Sequence, residues 1–102
     1  MQMLVRFEVF SSITRPEDVQ RVRDEVGAQL QKIMKSGKFK GGGCTVGKRG
    51  GAMILEVESA EELFELVGPA MLDNGTVAVD PLMGFDKLGE FFAKEKARKT
   101  GR

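Results

Sequence analysis

Apolar residues fall on every second position at the start of the chain and on every third or fourth soon after. Over residues 3–10, Met3, Val5, Phe7 and Val9 alternate with Leu4, Arg6, Glu8 and Phe10, a period of two that predicts a strand with one wholly apolar face. From Pro16 the period lengthens. Val19, Val22, Val26, Leu30 and Ile33 form one stripe of a long helix over 16–36. Thr14 and Glu17 have capping-box spacing and Pro16 suits the first turn. Arg15, held extended by the proline that follows it, is the alternative cap. Gly27 lies inside this helix and costs it about 1 kcal/mol relative to alanine. Gly37 supplies a left-handed stop.

Residues 39–47 and 51–58 then read as a hairpin turning near Lys48, Arg49, Gly50 and Gly51. Its second arm alternates cleanly, with Met53, Leu55 and Val57 opposed to Ala52, Ile54 and Glu56. Its first arm carries Gly41, Gly42 and Gly43, which in a strand signal a bulge or a close backbone approach. Ser59 and Glu62 form a second capping box, opening a helix over 59–68 with Ala60, Leu63, Phe64 and Val67 as its stripe. Gly68 and Pro69 are expected to stop it. After the turn signal Asp73-Asn74-Gly75 comes a short strand from Thr76 to Leu82, with Pro81 marking its end or an edge position. Phe85, Leu88, Phe91 and Phe92 give the apolar side of a third helix ending near Lys96, and a frayed basic tail is expected over about 97–102.

The order β-α-β-β-α-β with an added C-terminal helix predicts a single α+β domain over residues 1–102. Both crossover helices must cover one face of the sheet. The arrangement that does so is the ferredoxin-like four-stranded antiparallel sheet in the order 4-1-3-2. The opposite face then collects Leu4, Arg6, Glu8 and Phe10 with Ala52, Ile54 and Glu56, and Ala78, Asp80 and Leu82. Arg6, Glu8, Glu56 and Asp80 are expected to cluster there. Such a face is too apolar to stay open and too charged to be a plain core. A second copy packed against it would give a two-fold homodimer around a partly polar cleft.

Composition narrows the chemistry. A hydrophobic fraction of 41% with 30% charged residues fits a globular chain rather than a disordered one. No apolar run approaches the ~20 residues of a membrane span, and the first residues read as a strand rather than a signal peptide, so a cytoplasmic location is expected. There is no histidine and one cysteine, Cys44. This removes the commonest general base and speaks against a transition-metal site. No metal and no cofactor is expected, and Cys44 reads as a small buried hydrophobe. The net charge of +1 is unevenly spread, since residues 30–50 hold six basic groups and no acidic one while residues 51–90 hold nine acidic groups and one basic. Those blocks suit solvated helix ends, or the steering of an anionic ligand. The open face has too few aromatics for an RNA-reading sheet, so a nucleic-acid partner is not expected. The glycines around Lys48 and Arg49 lack the strand–loop–helix context of a phosphate loop.

The segments Leu4–Val9, Met53–Leu63 and Val77–Leu82, in their spacing, resemble the muconolactone isomerase-like proteins of the dimeric α+β barrel group. The resemblance implies a sheet-to-sheet homodimer, often built into larger rings, with a ligand cleft lined by the sheet and the C-terminal segment. It implies a small organic acid or lactone as ligand and Arg6 as the basic strand residue. On this reading Glu8 or Glu56 is the candidate base for a proton transfer beside a carbonyl. Arg6, Asp80, Phe10 and Ile54 would line the ligand site. The alternatives from the residues themselves are a structural ion-pair cluster and a non-catalytic small-ligand-binding or regulatory module.

Overall fold

The computed structural model describes residues 1–100. Its elements are β1 (Gln2–Val9), α1 (Pro16–Lys35), β2 (Phe39–Cys44), β3 (Gly50–Glu56), α2 (Ala60–Asn74), β4 (Gly75–Leu82) and α3 (Phe85–Thr100). The four strands form one antiparallel sheet in the order β2-β3-β1-β4, the ferredoxin-like arrangement expected from the sequence. β4 is an edge strand, which is why Pro81 is tolerated within it.

The core lies between the helices and one sheet face. Val5 and Phe7 of β1, Met53 and Leu55 of β3, and Val57 just beyond are buried there, against Ile33 of α1 and Val67 and Met71 of α2. Along α1, Val22 and Ile33 are buried, with Val19, Val26 and Leu30 half-buried between and beside them. The helix begins at an extended Arg15 that makes no side-chain cap bond. The Thr14–Glu17 box does not form, because Pro16 holds residue 15 extended and makes it the cap. Gly37, at φ 79°, supplies the left-handed turn after the helix.

The Gly68-Pro69 pair breaks α2 without ending it. Gly68 has φ 68° and ψ 171°, and helical backbone resumes through Pro69 as far as Asn74. Proline suits the first turn of a helical segment, so it restarts what the glycine interrupts. The Gln29 side-chain amide donates to the Leu66 carbonyl beside the break at 2.5 Å. At the other end, the Ser59 hydroxyl accepts from the Glu62 N–H at 3.1 Å, as the sequence predicts. Phe64 turns outward and is 66% exposed; Leu63, Leu66 and Val67 take the inner side.

Asn74 is the one buried polar residue among the described core. Its amide donates to Glu25 at 3.0 Å and to the Ala70 carbonyl at 2.7 Å, and its oxygen accepts from Arg21 at 3.4 Å. It thereby ties α1 to the α2–β4 corner. Replacing Asn74 with alanine removes the side chain that joins all three, although Arg21 and Glu25 keep their own ion pair, and is expected to cost about 1–3 kcal/mol. A urea midpoint unchanged from the parent would show the network to be idle.

α3 behaves differently from the other elements. It packs along none of them, and Phe85, Phe91 and Phe92 are 90%, 54% and 59% exposed. The radius of gyration is 18.0 Å and the longest dimension 67 Å, against about 13 Å for a compact chain of 100 residues. The helix continues past Lys96 to Thr100, so residues expected in a frayed tail are helical. Gly101 and Arg102, the rest of that expected tail, lie outside the described residues.

Candidate functional site

The sheet face turned away from α1 and α2 is not covered by any element of the chain, and the pairing register places its side chains in rows. One row runs Ile54–Leu4–Asp80 across β3, β1 and β4, and the next runs Ala52–Arg6–Ala78. Arg6 is thus flanked on both neighbouring strands by a small side chain. Its guanidinium crosses diagonally to Asp80 and forms an ion pair with that carboxylate. Both groups are more than half exposed, so the pair itself contributes only about 0–1 kcal/mol to stability. One nitrogen of Arg6 serves Asp80; the other N–H groups of the guanidinium have no partner among the described residues.

The four-residue cluster expected on this face does not assemble within one sheet. Arg6 and Asp80 meet, but the register sets Glu56 opposite Gln2 and Glu8 opposite Gly50. Those positions are six residues apart along β1, about 20 Å at ~3.4 Å per residue. Glu56 is engaged at its own end, where its carboxylate accepts from the terminal amine of Met1 at 3.1 Å. Glu8 is exposed, between Gly50 on β3 and Thr76 on β4. Ile54 is half-buried beside Leu4. Phe10 is 41% exposed just past the end of β1, where its N–H donates to the Asn74 carbonyl at 3.0 Å. The same-face placement was readable from the alternation; the spread along the strands follows from the antiparallel pairing, which alternation does not encode.

A second concavity lies on the helical side of the sheet. A cavity of about 570 Å³ opens between α1 and the hairpin side of the sheet, walled by α1 residues from Val19 to Met34 and by Val5, Phe7, Phe39 and Met53 below. Gly27 stands in its roof, with no atom within 4 Å of where a β-carbon would be. Gly42 and Gly51 lie in its floor, where a β-carbon would run into neighbouring strand backbone at 2.3 and 2.7 Å. The basic residues on its lining are Arg23, Lys48 and Arg49. Arg49 is occupied: it donates to the carbonyls of Phe10 and Ile13, both at 2.7 Å, pinning the β1–α1 loop to the hairpin. Cys44, expected to be buried, is exposed on the same rim, because the neighbouring glycines give it nothing to pack under.

None of these cavity residues stands out in the sequence as a site. The usable signals were Gly27, a costly residue in mid-helix, and the glycine run of β2. Among the described residues no group of three His, Cys, Asp or Glu side chains is placed to hold a metal ion. No described helix is long and apolar enough to cross a membrane. Comparison with models of known protein families and with curated protein sequences returns no match.

Proposed function

We propose that the chain works as a homodimer or larger ring closed through the open sheet face, and that the enclosed cleft binds a small organic acid or lactone, as in a muconolactone isomerase-like protein. The observation that carries this reading is the composition of that face: Leu4, Ile54, Ala52 and Ala78 surround a single Arg6–Asp80 pair, and no element of the chain covers them. A second sheet would exclude water from the apolar rows, and desolvation would strengthen the hold of Arg6 on a ligand carboxylate. Arg6 anchors the acid through donors Asp80 leaves free, and Asp80 fixes the direction of the guanidinium across the face.

Catalysis is the second reading, and it rests on Glu8. This carboxylate shares the face and the strand with Arg6, two residues along, and has no hydrogen-bond partner or ion pair. In an isomerisation, Glu8 would take the proton from the carbon next to the lactone carbonyl. The charge would pass to an enolate oxygen held by Arg6, and the proton would return to a carbon further along the conjugated system. Glu56, tied to the Met1 amine and far along the sheet, is the weaker candidate for that role.

A thermal-shift screen of small unsaturated acids and lactones, followed by calorimetry on hits, tests the reading. Arg6→Ala is expected to weaken a hit by about 2 kcal/mol or more, at least ~30-fold, with the melting temperature of the free protein unchanged. Full affinity in Arg6→Ala would remove the cleft from consideration. Glu8→Gln should retain binding and lose turnover; binding without turnover in the parent leaves a ligand-binding module.

A further inference from the structure

We propose that the groove beneath α1 is a second binding site, on the opposite side of the sheet from Arg6, and that it takes a straight-chain amphipathic carboxylate. The groove runs along much of α1. Its α1 wall runs from Val19 to Met34, fifteen helical steps or about 22 Å, which suits an extended alkyl chain better than a compact ring. Its volume of about 570 Å³ lies within the ~300–1,000 Å³ of small-molecule sites.

The lining is divided along its length. Leu30, Met34 and Phe39 make one end wholly apolar. The other end, where the hairpin turn meets the N-terminal half of α1, holds Arg23 and Lys48. Neither has an ion pair or hydrogen bond, whereas Arg49 beside them donates to two carbonyls. Two uncompensated cations at the mouth of an apolar slot match a ligand with a negative head and a hydrocarbon tail. A neutral lipid would leave them unused and a cation would be repelled.

The space is also kept open by residue choice. A side chain at Gly27 would meet nothing within 4 Å, so glycine is not forced there by crowding. Its left-handed freedom is unused too, since the residue is helical. The helix therefore carries glycine at a loss of intrinsic stability, with empty volume as the result. A side chain placed there would descend into the slot.

Isothermal titration of the full chain with dodecanoate below its micellar concentration tests the site, with dodecan-1-ol and dodecyltrimethylammonium as head-group controls. Saturable binding of dodecanoate is expected, at least tenfold tighter than either control. The double variant Arg23→Ala/Lys48→Ala alters only exposed side chains; it should weaken dodecanoate tenfold or more and leave the alcohol unchanged. Gly27→Leu should weaken both while keeping the circular dichroism spectrum. Arg6→Ala should bind dodecanoate like the parent, which separates this site from the cleft on the other face. The proposal is overturned by any of four results: no saturable heat, equal affinity for all three head groups, binding only to phosphatidylglycerol vesicles and not to the free acid, or a Gly27→Leu variant that changes oligomeric state but not affinity. The last would mean that a second copy fills the groove.

Discussion

Exchanging Phe91 and Phe92 for aspartate is expected to reduce the proposed homodimer to monomers while leaving the sheet and its two covering helices intact. The expectation comes from the energetics of α3. A helix of 16 residues is marginal on its own in water, and Gly89 lowers its intrinsic stability by about 1 kcal/mol more. Most helices in proteins are held by packing an apolar face, yet among the described residues α3 makes no extensive contact with another element and leaves Phe85, Phe91 and Phe92 exposed. In the proposed homodimer that surface comes from a second copy, which offers both the open sheet face and a matching α3. Burying a phenylalanine is worth about 1.5–3 kcal/mol. Two such losses on one protomer lower the association constant by roughly a hundredfold to ten-thousandfold, and a two-fold dimer suffers them on both, before counting the charges introduced. Sedimentation velocity over a micromolar concentration series measures this. The double variant should sediment as a monomer where the parent does not, and its remaining domain should melt cooperatively. Identical sedimentation of parent and variant would place α3 outside any interface between copies.

The elements that were legible in the sequence are those whose signals are local. β1, α1 and β3 follow from alternation or from a three-to-four stripe, and the Ser59–Glu62 cap forms as its spacing requires. The strand order followed from connection rules applied to those elements. What was missed depended on tertiary context. Gly68 and Pro69 are read as a stop, but the Gln29 amide supplies a donor to Leu66 beside the break and the helix resumes. Phe64 and Leu63 look alike in the pattern; only the way α2 seats on the core leaves Phe64 facing out and Leu63 in. Of the candidate site, the pairing of Arg6 with Asp80 was within reach, since both sit on the same face of neighbouring strands. The separation of Glu8 from Glu56 was not, because it depends on which residue of β3 stands opposite Gln2. The groove was least legible of all. Arg23 and Lys48 are ordinary surface residues by composition, and only the course of α1 over the hairpin brings them to one opening.

Leu55→Ala and Val79→Ala make the sharpest comparison between pattern and packing. Both residues are apolar members of alternating strands and both face the helical side, Leu55 opposite Met3 and Val79 opposite Val5. By sequence they are equivalent. In the fold Leu55 is fully buried at 0% exposure, at the centre of the cluster with Val5, Met53 and Ile33, while Val79 on the edge strand is 37% exposed. Truncating Leu55 removes buried methyl groups and leaves a cavity that a close-packed core only partly collapses, so about 3–5 kcal/mol is expected. That is a large share of the 5–15 kcal/mol that holds a typical domain together. Truncating Val79 should cost under about 1 kcal/mol, since much of its surface stays in water either way. Urea denaturation at low protein concentration reads both, with an unchanged m-value as the sign that only stability has moved. A Val79 loss that grows with protein concentration would carry a further consequence. It would mean that the edge of β4 is covered by a second chain when the protein assembles, so that the surface next to the Arg6–Asp80 pair is an interface and not a free edge.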